Sequence, residues 1–159
     1  EAGETPPESV VRVALDKARY VARLAKERDL PAHPVLGADT EVVLDGTILG
    51  KPRDRAHGLE LLGRLAGRGH EVLSAVALIA DGVEHTALNA NRVTFGPLSE
   101  TEIVHYWETG EPVDKAGGYA IQGRAAAFVA RLEGSYSGVM GLPLFELVSL
   151  LKRAGVMSE

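Results

Sequence analysis

Two Asp-Gly dipeptides, Asp45-Gly46 and Asp81-Gly82, each interrupt a run of strand-forming residues. Such a dipeptide between apolar runs specifies a two-residue hairpin, because both turn positions need positive φ. Val35 to Leu44 is therefore expected to pair with Thr47 to Leu49, and His70 to Ala80 with Val83 to Phe95. In the first hairpin Leu44 faces Thr47, and Thr40 falls opposite Lys51, with Asp39 beside them at the base. Side chains alternate between faces, so Asp39 points away from Lys51 unless pairing has ended there or a bulge intervenes.

The segments around the hairpins read as helices. Thr5-Pro6-Pro7-Glu8 carries a cap, a first-turn proline and the glutamate of a capping box. The helix it opens runs to about Arg28, with Val10, Ala14, Ala18, Val21 and Ala25 as its apolar stripe. Lys17 falls inside that stripe at 100° per residue. Such a lysine either meets a partner on the core side or snorkels to water from the helix edge. Asp54 caps a second helix, Arg55 to Ala66, which Gly67 ends. Ser99-x-x-Glu102 opens a third, through about Thr109. Ala125 to Leu132 is a strand candidate, and Pro143 begins a terminal helix expected to bury Leu144, Leu147, Leu150 and Leu151. Hairpins interleaved with helices, without repeats or low-complexity linkers, describe an α/β domain.

At 159 residues, with 45% apolar content, the chain suits one domain over residues 1–159 with a core of its own. The absence of cysteine excludes disulfides, thiolate zinc sites and cysteine nucleophiles. The net charge is −5 and no strongly basic block occurs, which argues against nucleic acid as a partner. A polyanionic ligand would need a few local cations and a metal. No apolar run reaches the length of a membrane span. The glycine–lysine–hydroxyl spacing of a P-loop, the Gly-x-Ser-x-Gly elbow and the His-x-x-x-His pair are all missing.

Four places carry residues suited to chemistry. Asp39 stands in Gly37-Ala38-Asp39-Thr40, where an apolar strand turns polar; its carboxylate suits a metal ion or a water. Lys51, in Gly50-Lys51-Pro52, suits a phosphate. Arg68, in Gly67-Arg68-Gly69-His70, is a second phosphate-binding candidate, although the glycines also serve simply to end the helix. His70 fits a ligand, a base or a core position. Asp114 to Arg124 is the densest segment: its glycines permit close backbone approach, Lys115 adds a cation, and Gln122 offers the donor and acceptor needed to read a base edge. A plain surface loop would also accommodate this composition.

Together these segments resemble the Maf family of nucleotide pyrophosphatases. The resemblance rests on Gly37-Ala38-Asp39-Thr40, Gly50-Lys51-Pro52, Asp114-Lys115-Ala116-Gly117 through Ile121-Gln122-Gly123, and Gly134-Ser135-Tyr136 leading to Gly141-Leu142-Pro143. Gly67-Arg68-x-His70 and Leu98-Ser99-x-x-Glu102-Ile103 fit as well, all in the right order. It implies an inosine-triphosphatase-like fold: a mixed, elongated twisted sheet flanked by helices, with a cleft between two lobes. It further implies cleavage of nucleoside triphosphates between the α and β phosphates, a divalent metal (Mg²⁺ or Mn²⁺), a homodimer and a cytoplasmic, house-cleaning role. The family's catalytic proton acceptor falls on Asp39, which would also meet the metal, and its active-site lysines fall on Lys17 and Lys51. Its specificity positions fall on Thr40 and Gln122; a threonine after the aspartate resembles the dTTP/UTP group, whereas the 7-methyl-GTP group usually departs there. The family's N-terminal Ser-x-Ser-Pro-Arg-Arg loop has no match, and Glu1 aligns with a family glutamate. On that ground the chain as written is expected to be weakly active or inactive. A non-catalytic nucleotide-binding role linked to septum formation and a 7-methyl-GTP activity are the alternatives.

Overall fold

The computed structural model describes residues 3–158; Glu1 therefore lies outside the described residues. Five strands, β1 (Val35–Leu44), β2 (Thr47–Leu49), β3 (Gly69–Ala80), β4 (Val83–Phe95) and β5 (Val129–Glu133), form one sheet in the order β2-β1-β3-β4-β5. The helices are α1 (Pro6–Glu27), α2 (Arg55–Leu65), α3 (Glu100–Glu108), α4 (Tyr136–Met140) and α5 (Leu144–Arg153). Both Asp-Gly turns form as read: Asp45 and Gly46 have φ of 51° and 74°, and Asp81 and Gly82 of 50° and 78°. Those turns make β1/β2 and β3/β4 antiparallel, and every pairing among the described residues is antiparallel. A sheet flanked by helices is the α/β architecture that the resemblance implied.

The helix starts follow their capping chemistry. Glu8 accepts hydrogen bonds from the Thr5 amide at 2.8 Å and the Thr5 hydroxyl at 2.7 Å. Asp54 accepts from the His57 amide at 2.8 Å, and Glu102 from the Ser99 amide at 2.8 Å. Each bond satisfies a backbone donor at a helix start, or ties the cap to the first turn.

The pleat divides the core in two. On one face α1 packs Val10, Ala14 and Ala18 against Val43, Leu73, Ala75 and Ala77. On the other face α2 and α3 cover Val42, Leu44, Val72, Val93 and Phe95, while α5 contributes Leu150 against Val76, Leu78 and Ala80. The expected stripe on α1 needs one change: Val21 is exposed and the row continues through the half-buried Ala22, because contact follows the four-residue row of small side chains. At the other end of the chain Leu144 is exposed, because α5 meets the sheet through its later turns, at Leu150 and Leu151. Residues 124–128, which include three alanines with little strand preference, form a 3₁₀ turn, so β5 starts at Val129 rather than Ala125.

Gly37 sets how closely α1 approaches. A β-carbon there would collide with the Ala14 carbonyl oxygen and come within 2.8 Å of the Ala18 amide nitrogen. Gly37→Ala is expected to lower unfolding free energy by about 1–3 kcal/mol, as overpacking does. Gly63→Ala in α2, where an added β-carbon meets nothing within 4 Å, is expected to raise it by a few tenths to about 1 kcal/mol. Urea denaturation of the two variants checks both signs.

Candidate active site

The close packing of α1 on β1 brings Lys17 over Asp39. The lysine Nζ donates to Asp39 Oδ1 at 2.6 Å and to the Ala38 carbonyl at 3.0 Å. Lys17 therefore does both things open to it: its stem runs along the helix edge, half exposed, and its ammonium meets a partner at the sheet. Two residues along the same face of β1, buried Glu41 accepts from the Ser9 hydroxyl at 2.7 Å. Burial raises the Glu41 carboxyl above its ordinary range, and the Ser9 bond offsets part of that rise.

Thr40 points to the opposite face and lines a cavity of about 220 Å³. Lys51, Lys115, Tyr119, Gln122 and Gly141 line it too. Its volume lies below the roughly 300 Å³ at which pockets for whole small molecules begin, which suits one ring or one phosphate of a longer ligand. The expected opposition of Thr40 and Lys51 does not occur. The β1–β2 ladder stops at Val42–Leu49, so Lys51 lies beyond the pairing and is free to reach the cavity wall.

The loop carrying Lys115 and Gln122 is fixed at several points. The Gly117 amide donates to the Gly50 carbonyl at 3.1 Å, next to Lys51. Gly117 has φ of 67°, and a β-carbon on it would crowd the Val42 side chain. Farther along, the Ala120 amide donates to the Tyr106 hydroxyl at 3.2 Å, and that hydroxyl donates to Glu111 at 2.6 Å. Glu111 also accepts the Arg124 amide at 2.9 Å and the Ala125 amide at 3.3 Å. Burial pushes the Glu111 carboxyl up, but these donors outweigh it and the net shift is downward.

Tyr119, on the cavity wall, shares a 2.7 Å hydrogen bond with Nε2 of buried His70, within a cluster that includes Phe95. His70 is thus a core residue under the site. Burial first, and then the charge of Arg92, lower its pKa from 6.5 to about 4. The unfolded chain takes up that proton first, so the stability is complete above about pH 6.5 and is lost as pH falls towards 4. Between pH 7.5 and 4 the wild type is expected to lose about 3 kcal/mol more unfolding free energy than His70→Gln. Chemical denaturation of both proteins across that range checks it.

The structure therefore gathers the expected residues into two groups on the two faces of β1. Lys17 and Asp39 meet on the α1 face, while Thr40, Lys51, Lys115 and Gln122 share the cavity. Arg68 joins neither group: it is held by both carboxylate oxygens of Asp45 at 3.0 and 2.7 Å, at the far end of the β1–β2 hairpin. Among the described residues, no group of three or more His, Cys, Asp or Glu side chains could hold a metal ion. A lone Asp39 fits a hard cation such as Mg²⁺, which fills most of its shell with substrate phosphates and water. Sequence reasoning missed Ser74, whose buried hydroxyl lies 2.7 Å from that of Thr40, and Glu111, which anchors the loop. A single hydroxyl in the apolar run of β3 was a signal for the first; nothing local marked the second.

The model of the Maf-like protein family matches residues 1–154. A dTTP/UTP pyrophosphatase of Alkalilimnicola ehrlichii is 59% identical over 149 residues, covering 93% of this chain and 73% of that protein. Relatives of the same name from Burkholderia pseudomallei and Methylococcus capsulatus are each 53% identical; the matches cover 97% of this chain and 75% and 74% of those proteins. With the family model matching nearly its whole length and relatives more than half identical, this chain belongs to the Maf-like family.

Proposed function

We propose that this protein hydrolyses dTTP and UTP to the nucleoside monophosphate and pyrophosphate. The observation that carries the reading is the adjacency of two different sites on one strand: the Lys17–Asp39 pair and the cavity walled by Thr40, Lys51, Lys115 and Gln122. The names of the relatives support the substrate pair.

On this reading Thr40 and Gln122 hold the base, and the phosphate chain passes the edge of β1 where β2 has ended. Lys51, Lys115 and Lys17 offset the charge of the phosphates, which is a large part of the work in phosphoryl transfer. Asp39 orients the attacking water and accepts its proton. The bond between the α and β phosphates breaks, and the water oxygen ends on one of the two products. Asp39 would contribute a ligand to a divalent cation, which would supply polarisation of the phosphate oxygens. Lys17, bonded to Oδ1, keeps the Asp39 carboxylate turned towards the site. No covalent nucleophile is needed. The reading extends to a homodimer in the cytoplasm, on the strength of the family resemblance; among the described residues no helix is long and apolar enough to cross a membrane.

Pyrophosphate release from dTTP, UTP, CTP, 7-methyl-GTP, ITP and ATP with Mg²⁺ or Mn²⁺ tests the proposal. Release favouring dTTP and UTP is expected; a preference for 7-methyl-GTP, or release from none even in a protein that carries the family's N-terminal loop, would overturn it. Asp39→Asn is expected to lower turnover at least about 100-fold, the usual size of a lost general base. Its thermal unfolding midpoint, measured alongside, separates lost chemistry from lost fold.

A further inference from the structure

Thr40 is held by a chain of hydroxyls whose direction is fixed at one end. β1 and β3 pair Thr40 with Ser74 across the ladder. Ser74 is fully buried, and its Oγ donates to the Gly138 carbonyl at 2.6 Å. A carbonyl only accepts, and a serine has one hydroxyl hydrogen, so that hydrogen is spent. The 2.7 Å contact between Thr40 Oγ1 and Ser74 Oγ then has Thr40 as donor. The other acceptor within reach of Thr40 is the Gly141 carbonyl at 3.4 Å, also part of the protein. In both arrangements the Thr40 hydrogen points into the protein, and what faces the cavity is a lone pair.

We propose that Ser74 is a specificity-determining positioning residue, which makes Thr40 an acceptor and so selects ligands that present an N–H donor to it. This rests on the pyrophosphatase reading above. Uracil and thymine carry an imide N–H between two carbonyls, whereas cytosine has a lone pair at the same ring position. A lone pair facing Thr40 Oγ1 is repelled unless the hydroxyl turns outward. Turning it out either leaves the two hydroxyl oxygens facing each other at 2.7 Å with no hydrogen between them, or makes Ser74 donate to Thr40 and lose its short bond to Gly138. That bond also holds the α4 turn, whose Gly141 amide donates to the same Gly138 carbonyl at 3.1 Å, against β3. The element that walls the cavity and the polarity of Thr40 are thereby set by one buried hydroxyl.

The test is the ratio of kcat/KM for UTP to that for CTP in four proteins: wild type, Ser74→Ala, Thr40→Val and the double variant. Ser74→Ala leaves the Thr40 hydrogen only the long 3.4 Å bond to the Gly141 carbonyl, weak enough for the hydroxyl to turn to the cavity, and is expected to lower the ratio by about three- to tenfold, the size of one hydrogen bond. Thr40→Val is expected to lower it at least as far, and Ser74→Ala in the Thr40→Val background to change it no further. An unchanged ratio in folded Ser74→Ala overturns the proposal. So does an equal fall with and without Thr40, because a purely structural effect would not depend on the threonine hydroxyl. If Ser74→Ala does not fold, Ser74→Cys, of similar shape and a weaker donor, is judged by the same outcomes. If wild type releases pyrophosphate from neither nucleotide, the pyrophosphatase reading fails by itself. The same ratio is then taken from the Kd of UTP and CTP by calorimetry, where a wild-type preference abolished by Ser74→Ala supports the proposal and a flat ratio overturns it.

Discussion

The site depends first on how near a helix lies to a strand. α1 rests on β1 at Gly37, where any side chain would strike the Ala14 carbonyl. Alanines at 14 and 18 keep the helix side of the contact equally thin. A wider separation would carry the Lys17 ammonium away from Asp39, since a lysine stem has a fixed reach. The contact therefore does more than bury apolar surface. It sets the length of the ion pair, and the ion pair in turn orients the carboxylate assigned to water activation.

The second face is governed by different physics. There the cavity wall is a loop and a short helix, neither of which has enough regular backbone pairing to be rigid by itself. Buried polar anchors supply what the secondary structure lacks. Glu111 collects the Tyr106 hydroxyl and two amides, His70 meets Tyr119, and Ser74 ties β3 to Gly138. Each anchor sits under or beside the cavity, and none needs to touch a ligand. Low-dielectric surroundings make such bonds strong and also make their partial loss costly.

Much of this was legible in the sequence, where local chemistry decided the outcome. Turn geometry specifies both hairpins down to the register of Leu44 and Thr47, and capping residues mark the starts of α1, α2 and α3. Helical periodicity singled out Lys17 before any partner for it was visible. Long-range facts were not legible. That Lys51 escapes the ladder depends on where β2 stops, and the role of Ser74 depends on a pairing across 34 residues and a carbonyl 64 residues away. The exposure of Leu144 likewise reflects where α5 overhangs the sheet, which periodicity cannot report. Arg68 looked suited to phosphate because its neighbours are glycines; the Asp45 that holds it is brought near only by the hairpin.

Asp39 and Thr40 are consecutive residues, and the pleat sends them to opposite sides. Their separation is thus a matter of covalent geometry, with consecutive α-carbons about 3.8 Å apart, and no loop movement can alter it. The strand behaves as a gauge with two jaws, one assigned to the base and the other to the bond that breaks. A nucleotide fits the gauge only if its own skeleton spans that interval. On the proposed assignment, changing the side chain at position 40 would alter which base is accepted without moving the chemistry, whereas inserting or deleting one residue nearby would turn both jaws over at once. Such an arrangement lets recognition vary by substitution while leaving the place of cleavage constant.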